Sequence, residues 1–182
     1  MWTRRQRQMC IRDRSKENKF TYTGKDLPFA SKIQILNKYK SYLMFKKNFW
    51  IKKDDVKPIN HKIKNFIYIV NLFRNVKYKW GGKTFKGIDC SGLVQIIYNY
   101  NNKFFPRDTV DQIKFKKGLK SKKKFKKGDI VFWKGHVGIC INSKKFIHAY
   151  GPRKKVLIMS INQTIKLIEK TAGLKVKKIY SI

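Results

Sequence analysis

The chain has 182 residues, 42% of them apolar, which is enough for one ordinary domain with a buried core and a small addition. Its 45 Lys and Arg against 10 Asp and Glu give a formal net charge of +35, which points first to nucleic acid or another polyanion. Lys, Ile and Asn are enriched together along the whole chain, however, so the charge is read mainly as biased base composition, with no specific nucleic-acid partner. Three scattered cysteines, Cys10, Cys90 and Cys140, argue against a disulfide framework or a zinc site, and neither metal nor cofactor is expected.

Residues 1–15 hold five Arg, whereas Lys dominates elsewhere. They resemble translated adapter read-through, a non-native beginning, and are set aside from fold reasoning. From Lys19 to Pro58, short β-prone runs are broken by Gly, Pro, Asn and Lys pairs, which predicts a small antiparallel barrel or meander. With a linker over Pro58–His61 this gives a β segment over residues 16–60, followed by a second domain over 61–182. Ile63, Phe66, Ile67, Val70 and Phe73 follow the 3.6-residue period and predict a helix over Lys62–Phe73. The longest apolar-rich run, Phe66–Phe73, is far too short to cross a bilayer.

The most informative stretch is Tyr78–Gln95, YKWGGKTFKGIDCSGLVQ. Asp89 is a good N-cap, and Leu93, Val94, Ile96, Ile97 and Tyr100 supply the apolar stripe of a helix that starts at Cys90. A thiol in the first turn meets unpaired N–H groups and the positive end of the helix dipole, both of which favour the nucleophilic thiolate. Next comes a Lys-rich stretch in which nine of the fourteen residues from Lys114 to Lys127 are Lys, read as a solvated loop.

His136 opens HVGICI and His148 lies in KFIHAY, with Asn142, Ser143 and Lys144 as a turn. A hairpin with that turn pairs Ile141 with Lys145 and Gly138 with His148, so His136 and His148 share one face as diagonal neighbours. A cysteine on a helix start and two histidines on one sheet face form a nucleophile, base and orienter set. Cys140 shares the parity of His136 but lies further along the strand, as packing. Val156–Met159 reads as a strand, Asn162–Lys170 as a helix and Val176–Tyr180 as a closing strand. The class is α+β, with helices on one side of an antiparallel sheet.

Five ordered motifs carry a resemblance: Tyr78–Gly82, Asp89–Gln95, Gly128–Trp133, Gly135–Ile139 and Ile147–Ala149. Over residues 66–182 the chain resembles the NlpC-type cysteine peptidases of bacterial cell-wall metabolism, in the subgroup whose peptidase domain follows SH3-type barrels. The resemblance implies a papain-like core preceded by a partial SH3-type barrel, with Cys90 as nucleophile, His136 as base and His148 as its orienter. It also implies a peptidoglycan stem-peptide substrate, cut between γ-D-glutamate and the diamino acid. Tyr78, Asp89 and Ser91 match positions that hold the free amine of an N-terminal L-alanine. Trp80 is placed with them, and Arg107, in a PRDT-like element, near the cleft. An amidase or acyltransferase on the same fold, or a non-enzymatic polyanion-binding or wall-binding module, are the alternatives. A monomer is expected. A pocket for a free amine favours a cytoplasmic location, and a missing native beginning leaves a periplasmic one open.

Overall fold

The computed structural model describes residues 2–4, 9–14 and 19–182. They form two compact units, one reaching to Lys64 and including Tyr100–Asn102, the other made of Asn65–Asn99 and Lys103–Ile182.

In the first unit, β1 (Trp2–Arg4) pairs with β7 (Val56–Pro58). A five-stranded antiparallel sheet contains β2 (Met9–Arg14), β3 (Phe20–Leu27), β4 (Asn37–Tyr39), β5 (Tyr42–Lys46) and β6 (Phe49–Lys52), in the order β3-β2-β6-β5-β4. The strands over 19–58 are thus present. The Arg-rich opening, set aside from the fold expectations, supplies β2 in the interior of this sheet. Ile33, Leu43, Ile51 and Val56 form the unit's small apolar core, and the Arg14 guanidinium lies 3.5 Å from the Tyr39 ring centre, a cation–π contact.

The second unit begins with α1 (Ile67–Leu72), shorter than the predicted Lys62–Phe73. The Asn65 side chain accepts from the Ile67 N–H at 3.3 Å, and Lys62 and Lys64 would put positive charge at the positive end of a longer helix. A two-stranded ribbon, β8 (Lys83–Thr84) and β9 (Gly87–Ile88), leads into α2 (Cys90–Tyr100), and the short α3 (Thr109–Gln112) follows.

The main sheet is wholly antiparallel. It contains β10 (Asp129–Trp133), β11 (His136–Cys140), β12 (Lys145–Tyr150), β13 (Lys155–Ser160) and β14 (Lys178–Ser181), in the order β13-β12-β11-β10-β14. Between β13 and β14 runs α4 (Ile161–Ala172), closed by Gly173 in the left-handed region, the usual glycine end of a helix. Val131, Trp133, Cys140, Phe146, Tyr150 and Ile179 share one face of the sheet, with Ile161 and Ile168 of α4 in the same core. The alternate residues Ile130, Phe132, Val137, Ile139 and Ile147 are also fully buried. The sheet is therefore covered on both faces rather than on one, which explains why its strands read as continuous apolar runs without alternation.

The Lys-rich stretch is not wholly solvated. Leu119 bridges to Ile179, and Lys122 Nζ lies 2.6 Å from Asp129 Oδ2, with Asp129 fully buried. Burial alone would raise the Asp129 carboxyl. Lys122, the Ser181 hydroxyl and the Lys126 N–H together hold it below the usual carboxylate range.

Candidate active site

The start of α2 is built around Asp89. Its Oδ1 accepts from the Gly92 N–H at 2.7 Å, which makes it the N-cap. The same carboxylate accepts from the Gly81 N–H at 2.8 Å, the Ser91 hydroxyl at 3.2 Å and both terminal nitrogens of Arg107, at 2.6 and 3.0 Å. Arg107 also donates to Ser91 Oγ and to the Gly82 carbonyl. Gly92 has to be glycine, because a Cβ there would lie 2.7 Å from the Gly82 oxygen and 2.9 Å from Asp89 Oδ1. Gln112, which is fully buried, donates to the carbonyls of Ser91 and Pro106, each at 2.9 Å, and braces the same turn.

Cys90 stands on this turn with 4% of its surface exposed. Its Sγ lies 4.0 Å from the Gly135 oxygen. Burial raises the thiol's pKa; the Val137 and Ser91 N–H groups and the Thr109 hydroxyl work against that rise, while Asp89 adds to it. The helix start was expected to favour the thiolate. Desolvation wins instead, and the resting group is a neutral thiol.

The hairpin has the register read from its turn. Ile139 pairs with Ile147 and Cys140 with Phe146. His136 Nε2 and His148 Nδ1 are 2.9 Å apart and the ring centres 5.1 Å apart. Gly138, between them, leaves the room: a Cβ there would run into the Phe146 ring and lie 2.8 Å from His148 Cβ. His148 is fully buried and stacked on Tyr150. Burial lowers the His136 pKa to about 4, and burial with the neighbouring His136 lowers that of His148 to about 3. Both rings are therefore neutral near pH 7. With His136 Nε2 engaged by His148, the nitrogen left for other chemistry is Nδ1.

A cavity of about 420 Å³ opens over Cys90, lined also by Tyr78, Trp80, Ser91, Asp108 and Asp111. Tyr78, Trp80, Asp89 and Ser91 are thus gathered beside the thiol, with Trp80 80% exposed. Arg107 is not part of that lining. Its guanidinium pairs with the carboxylate of Asp89 at 2.6 Å, while Asp89 still lines the cavity. Two further carboxylates line it, Asp108, whose side chain is 75% exposed and 4.0 Å from Arg107, and the exposed Asp111. Asp108 and Thr109 lie in the PRDT-like element already placed near the cleft, whereas Asp111 and Gln112 escaped the sequence reading, because nothing in their spacing ties α3 to the start of α2. Among the described residues, no three His, Cys, Asp or Glu side chains group to hold a metal.

A buried helix-start cysteine beside an antiparallel sheet that presents a histidine pair defines the papain-like class of fold. The match to the NlpC/P60 family model spans residues 75–171, more than half of the chain, and the chain belongs to that family. It is 28% identical over 154 residues to a γ-D-glutamyl-L-lysine dipeptidyl-peptidase of Bacillus subtilis, covering 77% of this chain and 52% of that protein. To the murein DD-endopeptidase MepS/murein LD-carboxypeptidase of Escherichia coli it is 36% identical over 97 residues, half of each chain. The chain thus spans about half the length of these curated relatives. The crystal structure of an NlpC/P60 family protein from Bacillus cereus superposes with a TM-score of 0.73 at 20% identity, covering all of this chain and 63% of that one.

Proposed function

We propose that the protein is a cysteine peptidase that hydrolyses peptidoglycan stem peptides at the bond between γ-D-glutamate and the diamino acid. The observation that carries this is the placement of Cys90 at the first turn of α2, against the start of β11, whose His136 is paired with His148 at 2.9 Å. Its likeness to a γ-D-glutamyl-L-lysine dipeptidyl-peptidase supports the choice of bond.

His136 Nδ1 takes the proton from the Cys90 thiol as Sγ adds to the amide carbonyl, and passes it to the nitrogen as the C–N bond breaks. The acyl group is left as a thioester. Water then adds to that carbonyl, giving its proton to His136 Nδ1, and the proton returns to the departing Cys90 sulfur. Developing negative charge on the carbonyl oxygen meets the Cys90 N–H, a first-turn donor that has no acceptor within the helix. His148 holds the His136 ring by accepting from Nε2–H. Asp108 and Asp111 supply negative charge for a free N-terminal amine on the acyl side.

The test is incubation of the wild-type protein and of Cys90→Ala with defined muropeptides, read by mass spectrometry. Wild type should release the diamino acid portion, and Cys90→Ala should retain less than about a hundredth of that rate. A transferred acyl group would identify an acyltransferase. No change in any muropeptide would leave a binding module.

A further inference from the structure

The cavity over Cys90 has a neighbour of about 470 Å³, and the two share Tyr78 and Gly135. Cys90 lines the first cavity and not the second, whereas His136 lines the second and not the first. The residue that becomes acylated therefore lines one cavity, and the residue that hands a proton to the departing nitrogen lines the other. A substrate lying across Gly135 places its acyl half over Cys90 and its departing half beside His136.

The two halves meet opposite charge. The Cys90 cavity carries Asp108 and Asp111, while Asp89 is neutralised by Arg107. The His136 cavity carries Lys134 and Arg153 and no carboxylate, over an apolar wall that includes Leu167, Ile168 and Leu174. Both cations are exposed, and among the described residues neither makes an ion pair. Both sit on short backbone turns. Lys134 and Gly135 form the two-residue link between β10 and β11, and Arg153 ends the turn Gly151–Arg153, closed by the Lys154 N–H on the Gly151 oxygen at 2.9 Å.

We propose that the cavity beside His136 is the leaving-group subsite, and that Lys134 and Arg153 at its rim select a leaving group that carries a free carboxylate. The inference rests on the hydrolytic reading above and deepens it. A substrate with a cationic amine at the acyl end and a carboxylate just past the scissile bond fits the charge order of the two cavities. That substrate is a short peptide whose diamino acid is its C-terminal residue, and a peptide extended or blocked there would lose the contact. Exposed ion pairs are individually weak, so two cations acting on one carboxylate should give a preference of about tenfold.

The test compares L-Ala-γ-D-Glu-L-Lys as its free C-terminal acid with the same peptide as its C-terminal amide. Wild type should favour the acid by about tenfold in kcat/KM. In Lys134→Gln/Arg153→Gln that ratio should fall toward one, and Arg153→Glu should push it below one. The chain's net charge is +35, so a matched loss of charge elsewhere is needed, and the exposed pair Lys123→Gln/Lys124→Gln should keep the wild-type ratio. A wild-type ratio near one, a ratio preserved in the double variant, or an equal fall in the Lys123/Lys124 control would overturn the subsite while hydrolysis itself stands. Failure of wild type to cleave either peptide would sink the hydrolytic reading and the subsite with it.

Discussion

The resting state of Cys90 decides what His136 has to do. A thiolate already paired with an imidazolium would need only to attack, but burial raises the thiol and lowers His136 to about 4. In the proposed mechanism His136 therefore takes the proton during the attack, which makes the position of its ring critical. In the same proposal His148 provides that position, at a cost: when it accepts through Nδ1 its own proton sits on Nε2, a buried atom with no hydrogen-bond partner among the described residues. A base that also returns the proton acts in both half-reactions, whereas a positioning residue acts only through it. His136→Ala should accordingly lower kcat/KM by roughly 10²–10⁴-fold, and His148→Ala by about 10²-fold or less. His148→Asn retains an acceptor near the Nδ1 position and should recover part of the loss. If His148→Ala proved the more damaging, the two roles would have to be exchanged. If His148→Asn recovered nothing in a folded protein, the ring's bulk would matter more than its acceptor.

At the scale of elements, the start of α2 is held by an ion pair that sequence spacing could not reveal. Asp89 is legible as an N-cap because Asp stands directly before an apolar helical stripe. Its second partner is not, because Arg107 lies 18 positions away beyond the end of the helix and reaches back to it only in the fold. An Asp89→Asn change read as a cap exchange alone should be nearly neutral. With a buried carboxylate and an Arg107 side chain 25% exposed, the same change strips a charge from a mostly desolvated pair and should cost about 1–3 kcal/mol. Urea unfolding of Asp89→Asn measures this. An unchanged midpoint, combined with a lost preference for free over acetylated peptides, would identify Asp89 as the amine ligand. The hairpin was legible for the opposite reason: Asn142–Lys144 fixes the turn, the pleat fixes the parity, and the two histidines lie only twelve positions apart across that turn. The start of α1 was misplaced because apolar period alone ignores the charge of Lys62 and Lys64.

Across the whole molecule, the stability of the fold is tied to the neutral histidine pair. The core of the main sheet, with its apolar strands and α4, is the part most readable from sequence. The pairing of Lys122 with Asp129 was hidden inside a run of lysines that reads as uniformly solvated. Acid acts on these two features in separate windows. His136 and His148 have folded pKa values of about 4 and about 3, against 6.5 unperturbed. Above pH 6.5 both states are neutral at these rings and nothing depends on pH. Below it the unfolded chain binds protons that the folded chain refuses, so stability falls with pH down to about 4. Asp129 works in the other sense of charge, with a folded pKa below 3.8. Its contribution is present above that value and is lost only in more acidic solution. Stability measured by urea unfolding at successive pH values should therefore decline between pH 6.5 and 4, by up to about 1.4 kcal/mol per pH unit for each histidine. The double variant His136→Gln/His148→Asn removes both rings and should flatten that limb while leaving the decline below pH 4. An equally steep limb in the double variant would mean that other groups cause it and that the pair is not held neutral by burial.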